Sequence, residues 1–213
     1  MNYLVKSIDY QDCKEWFLKK HYARRIPPIE FCFGLYDQDI LIGVCSFSTP
    51  ASRFEFTEFA LYELNRLVIN EDCKKNTLSY FVSNSLKLMP KPCIIVSYAD
   101  QSQGHKGYIY QATNWIYTGF SSSEKRIFVN GKELHRRTIY DTYGTSSIKE
   151  LSKKHKIEFI SQLPKHRYFY FIGDKKDKIK MMKELPYEKQ PYPKGENKRY
   201  DASYQPTTQI KLL

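Results

Sequence analysis

The chain lacks any run of about 18 apolar residues that could cross a membrane. Its start, MNYLVKSIDY, also lacks the charged head and apolar centre of a signal peptide, so a cytoplasmic protein is expected. The five cysteines (Cys13, Cys32, Cys45, Cys73, Cys93) include no CxxC pair. That argues against a structural zinc or a disulfide framework and for reduced thiols in the core. No internal repeat is present. Acidic residues are scarce in one region only: residues 121–213 hold 21 Lys and Arg against 11 Asp and Glu, whereas residues 1–120 hold 13 against 12. A regional cationic excess suits a polyanion, although a solvated lysine-rich face would give the same count.

What is abundant is tyrosine, 18 in 213 residues, more than a core requires. Phenols are most useful where a flat apolar face must also meet a polar group, so some should line a surface or a cleft. The length suits one well-buried domain with an appendage. YLVKSI reads as a strand, followed by a helix from Tyr10 with Cys13, Trp16, Phe17 and Lys20 at helical spacing. EFCFGLYDQDILIGVCSF reads as a hairpin, and the chain stays extended to Ile69. Leu78, Phe81, Val82, Leu86 and Met89 predict an amphipathic helix over Thr77–Met89, capped by Asn76 or Thr77. CIIVSYA reads as a strand buried on both faces, and a helix over His105–Asn114 and a strand at WIYTGFS should follow. This order implies an α/β fold with a mixed central sheet that is parallel in part. Beyond residue 121 we expect a hairpin through RIFVNGKELHRRTIY, a short basic helix at SSIKELSKKHK, a strand at RYFYFIG and a basic helix at DKKDKIKMMKEL. The expected organisation is a core domain over 1–145, a basic α/β extension over 146–185 packed on it, and an extended or disordered tail over 186–213.

Two places carry chemistry. RLVINEDCKKNTLSYF runs from a strand through a polar loop into a helix, whose free amides, with Lys74 and Lys75, can hold a pyrophosphate. An ordinary strand-to-helix turn would look the same. YADQSQGHKGYIYQATNW brings Asp100 to a strand's carboxyl end, the ligand edge of open α/β sheets. Asp100 could act as general base and Tyr110 as an acid or positioning group, with Gly107, Tyr110 and Asn114 aligned on one helix face. The alternative has Asp100 capping the following turn.

The strand, phosphate loop, helix, strand, helix order ending in IYTGF resembles the GNAT-type N-acyltransferases. More narrowly, HYARRIPPIEFCFGLYDQDILIGVCSFSTP, ELNRLVINEDCKKNTLSYFVSNSLKLMPK and SYADQSQGHKGYIYQATNWIYTG resemble the Mom family of bacteriophage DNA-modification proteins. The resemblance covers residues 15–145. It implies a GNAT-like transferase that binds acetyl-CoA or a related acyl-CoA and methylcarbamoylates the 6-amino group of adenine in double-stranded DNA. Such a modification protects DNA from restriction, and the setting would be the host cytoplasm if the gene is a phage's. It also implies Arg66, Asp100 and Tyr110 as active-site residues, with His21 as a further candidate in HYARR. Leu67, Val68 and Ile69 would meet the pantetheine arm, and Lys74, Lys75, Asn76 and Thr77 the phosphates, with Asn114 and Tyr117 as further cofactor-binding residues. Arg24, Arg25, Arg136, Arg137, Lys165 and Arg167 are the candidate DNA contacts. Iron accompanies the family, yet no compact His and carboxylate cluster is legible, and metal ligands stay unassigned. The loop EDCKKNTLS departs from the GNAT pattern in lacking glycine. RNA or a protein amine as substrate, or a non-catalytic nucleic-acid-binding module, are the alternatives. An aromatic such as Tyr98, Tyr108 or Trp115 could stack on an extruded base.

Overall fold

In the computed structural model, residues 3–51, 54, 55, 57–123, 125–134 and 136–196 are described, the side chains of Arg136 and Arg137 excepted. β1 (Tyr3–Ser7), β2 (Phe31–Asp37), β3 (Ile40–Ser48) and β4 (Ala60–Ile69) pair antiparallel in sequence order. Gln38, at φ 54°, turns β2 into β3. β5 (Cys93–Ala99) joins β4 in parallel, reached through α2 (Thr77–Leu88). α1 (Tyr10–Glu15) continues as a π-helical turn over Trp16–Lys20. α3 (Tyr108–Ala112) leads to β6 (Ile116–Phe120).

The seven-stranded sheet runs β1-β2-β3-β4-β5-β10-β6, where β10 is His166–Ile172. The alternation along β5 shows why a strand fits there. Cys93, Ile95 and Ala99 face the cluster built with α2 and α3, while Ile94 and Val96 face the opposite cluster. β10 has the same two-sided pattern, Tyr168 and Ile172 against Phe169 and Phe171. A strand apolar on both faces belongs inside a sheet, so β10 stands between β5 and β6, antiparallel to each. The boundary expected at residue 145 therefore falls short of a core strand. α1 and α6 (Lys175–Glu184) cover the face opposite α2 and α3.

Between β6 and β10 a second sheet, β8-β7-β9, forms from β7 (Lys125–Val129), β8 (Lys132–Leu134) and β9 (Ile157–Ser161). Ile127, Val129, Ile139 and Leu151 give it a separate small core with α4 (Arg136–Tyr143) and α5 (Ile148–Leu151). The expected hairpin turns at Asn130-Gly131, but its second strand stops at Leu134 and the chain turns helical. α3 is also shorter than His105–Asn114, because positive φ at Gly104, Gly107 and Asn114 interrupts a helix at both ends. A Cβ at Gly107 would lie 2.5 Å from the Tyr168 ring, so that turn requires glycine. The segment 187–196 is extended and lies along the core: Gln190 N donates to Tyr117 O at 2.9 Å and Tyr192 Oη to Trp115 O at 2.5 Å. Residues 197–213 of the expected tail lie outside the described residues. Among the described residues no helix is long and apolar enough to cross a membrane.

Candidate active site

β4 and β5 pair only from Ala60 opposite Cys93 to Glu63 opposite Val96. Beyond that point they fork, β4 following β3 to Ile69 and β5 following β10 to Ala99. A bulge at the fork makes Asn65 the extra residue between the Ser46–Arg66 and Phe47–Leu64 pairs. The Asn65 amide holds that bulge: its Oδ1 accepts from Ser46 Oγ at 2.6 Å, and its Nδ2 donates to Ser48 Oγ at 2.9 Å and Pro28 O at 3.0 Å. The fork opens into a cavity of about 700 Å³ between β4, the α2 entry loop, the end of β5 and α3.

The α2 entry offers what its missing glycine would have supplied. Asn76 adopts φ 69°, the left-handed conformation usual for glycine, and its side chain makes no cap. Capping by Asn76 or Thr77 was expected, but Asn76 is turned away by this backbone, and Thr77 Oγ1 donates to Tyr3 Oη at 3.1 Å instead. Among the described residues no backbone carbonyl accepts from the N–H of Leu78 or Ser79. Both residues line the cavity, as do Lys74 and Lys75. The loop end of the cavity is thus a set of free donors and cations, suited to an anion.

Two buried polar atoms in the cavity wall lack partners among the described residues: Arg66 Nε and Asn70 Oδ1. Arg66 spends Nη1 on Asn65 O at 2.6 Å, and burial, reinforced by Arg25, lowers its pKa. An orphaned buried group costs about 1–3 kcal/mol, which a ligand offering an acceptor to Arg66 and a donor to Asn70 would recover. His21 accepts from Ala23 N at 3.1 Å through Nδ1, which puts the ring proton on Nε2. Burial first, then Arg66, His105 and Arg25, lowers its pKa to about 3. His21 is therefore a neutral group at pH 7 and a feeble base. Tyr110 is tied to the fork. Ser97 Oγ lies 2.7 Å from both Leu64 O and Tyr110 Oη; its one hydrogen goes to the carbonyl, so Tyr110 must donate to Ser97. Burial raises the phenol's pKa.

Of the residues expected from sequence, His21, Arg66, Leu67, Ile69, Lys74, Lys75, Asn76, Tyr110 and Lys165 line the cavity. Val68 alternates to the α1 face, and Thr77 is buried against Tyr3. Asn114 ends α3 at φ 61°, away from the cavity wall, so its alignment with Gly107 and Tyr110 does not form. Tyr117 is buried with its hydroxyl 2.8 Å from His166 Nδ1. Asp100 takes the turn-capping alternative. Its Oδ1 accepts from Ser102 N at 2.9 Å and Ser102 Oγ at 2.6 Å, and it is not among the cavity-lining residues. Its carbonyl accepts from His105 N at 3.1 Å, and His105 does line the cavity. Burial lowers the His105 pKa while the Asp100 charge raises it. Arg24 and Arg25 are exposed. Arg167 is committed to Thr118 through Nε and Nη2 and to the Tyr187 ring at 3.5 Å. The side chains of Arg136 and Arg137 lie outside the described residues. Tyr22, Glu63, Asn70 and His105 are wall residues that spacing alone does not single out; His105 lies inside the stretch read as reactive.

The sheet is mixed and parallel between its fourth and fifth strands, as the α/β order of the sequence implies, and it forks there beside a helix N-terminus. The chain belongs to the Mom protein family, whose model matches residues 2–194. The methylcarbamoylase Mom of Escherichia phage Mu is 27% identical over 190 residues, covering 82% of this chain and 77% of that protein. Among solved structures, a GNAT-family acetyltransferase from Bacillus cereus aligns at 11% identity with a TM-score of 0.44, over 81% of this chain and 99% of that one. A Bacillus subtilis acetyltransferase in complex with CoA aligns at 12% identity and TM-score 0.42, over 80% and 99%. Iron does not fit the donor set: among the described residues no group of three or more His, Cys, Asp or Glu converges.

Proposed function

We propose that the chain is a transferase that methylcarbamoylates the 6-amino group of adenine in double-stranded DNA, so shielding that DNA from restriction, with an acyl-CoA in the forked cavity. The observation that carries this reading is the fork itself, with uncapped amides and lysines at one end and polar side chains at the other. The name of the phage Mu relative agrees with methylcarbamoyl transfer, and the cationic second half of the chain agrees with DNA as substrate. The exposed edge of β4 at Leu67 and Ile69 suits the pantetheine arm, and Lys74, Lys75 and the Leu78 and Ser79 amides suit the phosphates. Asn70 Oδ1 is an acceptor available to an amide of that arm. When bound, the acyl-CoA would supply a thioester-activated acyl group with coenzyme A thiol as its leaving group; the carboxamide nitrogen of the methylcarbamoyl group is not carried by a thioester and needs a second, nitrogen-donating co-substrate.

The chain's own residues then have an amine to orient and a proton to remove, because the lone pair of the adenine 6-amino group is delocalised into the ring. His105 is the cavity residue suited to take the proton, since burial keeps the imidazole neutral. Asp100 acts through it: the carboxylate caps the turn that presents His105 and favours the imidazolium once formed. Arg66 Nε can donate to an oxygen that gains charge during transfer. Tyr110 and Ser97 keep the fork open at fixed width.

Nucleosides from DNA co-expressed with the protein, read by mass spectrometry, test the reading. A modified adenine should be present with the wild type and fall about 10²-fold or more with His105→Asn. Asp100→Asn keeps an oxygen for Ser102 and removes only the charge, so it should cost less and move the acid limb of the pH–rate profile to lower pH. Equal losses in both variants would make Asp100 the base itself. Unmodified DNA beside modified RNA or protein would move the substrate class. Absence of thermal stabilisation by coenzyme A would favour a non-catalytic binding module.

A further inference from the structure

The segment between β6 and β10 leaves and re-enters the core at one point. Ser121 N donates to Lys165 O at 2.8 Å and Lys165 N donates to Ser121 Oγ at 3.0 Å, closing a neck. His166 pairs with Ala99, so this neck stands at the carboxyl end of β5, where Tyr98, Ala99 and Lys165 wall the cavity. Residues 121–165 carry ten Lys and Arg against five Asp and Glu. Large apolar side chains are nevertheless exposed at and near the neck: Phe120 at 49%, Phe159 at 48%, Ile160 at 50% and Leu163 at 56%. Apolar groups set among cations at a cavity mouth match a polyanion with an apolar interior, which is what a base-stacked duplex is.

These four are not equivalent. Phe120 is held with its ring 4.7 Å from His166, and Phe159 and Ile160 are fixed in β9 by pairing to Ile127 and Arg126. Leu163 lies in the short link between β9 and β10, backed by Pro164, two residues from the cavity-lining Lys165. It belongs to none of the apolar clusters among the described residues. We propose that the neck is a duplex-docking surface on which Leu163 is a wedge, entering the base stack as the target adenine leaves it for the cavity. This rests on the reading of the cavity as a DNA adenine site. Extruding a base costs a few kcal/mol, and an apolar side chain filling the gap opposes its return.

The wedge makes a prediction that a general binding or folding role does not. Leu163→Ala and Leu163→Gln should modify a matched duplex about tenfold more slowly than the wild type. On single-stranded DNA, or on a duplex with a mismatch opposite the target adenine, they should stay within about twofold, because there the extrusion is already cheap. With 2-aminopurine at the target position, the fluorescence rise on binding duplex should be present in the wild type and lost in both variants. Coenzyme A should stabilise all three proteins equally. Wild-type rates on matched duplex in both variants would overturn the wedge alone, and so would equal losses on all substrates. A wild type that modifies no form of DNA would overturn the adenine reading and the wedge with it.

Discussion

His21 is 5% exposed, and burial together with Arg66, His105 and Arg25 opposes its protonation. Its pKa falls from 6.5 to about 3, so between those values the unfolded chain binds a proton that the folded chain refuses. The neutral ring therefore contributes stability in full above about pH 6.5, and that contribution is lost as pH falls toward 3. The slope is at most about 1.4 kcal/mol per pH unit. His21→Asn keeps an acceptor for the Ala23 amide and removes the titration. Urea unfolding at stepped pH should show the wild type weakening through this window and the variant changing less. An identical pH dependence in both would assign the acid sensitivity to other groups. At the same scale, Asn76 holds a left-handed backbone without a cap. Asn76→Ala should cost about 1 kcal/mol of stability and weaken coenzyme A binding, and Asn76→Gly should restore both, read by denaturant and ligand titration.

The elements divide by how local their determinants are. α2 and β5 were legible because a helical apolar stripe and a continuous apolar run need no knowledge of partners. β4 and β5 part where Ser97 replaces a strand bond to Leu64. β9 went unread: IEFIS is largely exposed and lacks alternation, so only its pairing to β7 makes it a strand. The rank of β10 inside the sheet was hidden for a similar reason, since its partners β5 and β6 lie 46 or more positions upstream. Asp100 was placed at the correct strand end, but local competition decided its orientation, because an aspartate before Gln-Ser readily folds back on the next amides. The segment 187–196 falls in the stretch expected to be an extended or disordered tail, and Tyr192, Pro193 and Lys194 bond to Trp115, Gln111 and Lys106 around α3. That strap braces the helix whose other side walls the cavity. Tyr192→Phe leaves the Trp115 carbonyl without this donor and should lower stability by about 1 kcal/mol. It should also speed hydrogen exchange over Tyr108–Ala112 more than over α2. Uniform exchange changes would mean that the strap supports the whole sheet rather than α3.

Across the whole molecule, charge and topology coincide. The segment 121–165 has its own apolar core, separate from the three clusters of the main sheet among the described residues, and joins that sheet through a neck of two adjacent antiparallel strands. Because Ser121 and Lys165 already meet, a short Gly-Ser turn can replace residues 122–164 without moving β6 or β10. The main sheet should then keep its cooperative unfolding and its stabilisation by coenzyme A, since α2, β4 and the loop between them are untouched. Duplex affinity should fall steeply, and the slope of log affinity against log salt should flatten by about 0.9 for each phosphate contact removed. A deletion variant that binds duplex with the wild-type salt slope would instead place the DNA contacts on the core, at Arg24, Arg25 and the lysines of α6. The two outcomes separate a protein whose insertion carries the substrate to the cavity from one whose cavity rim finds it unaided.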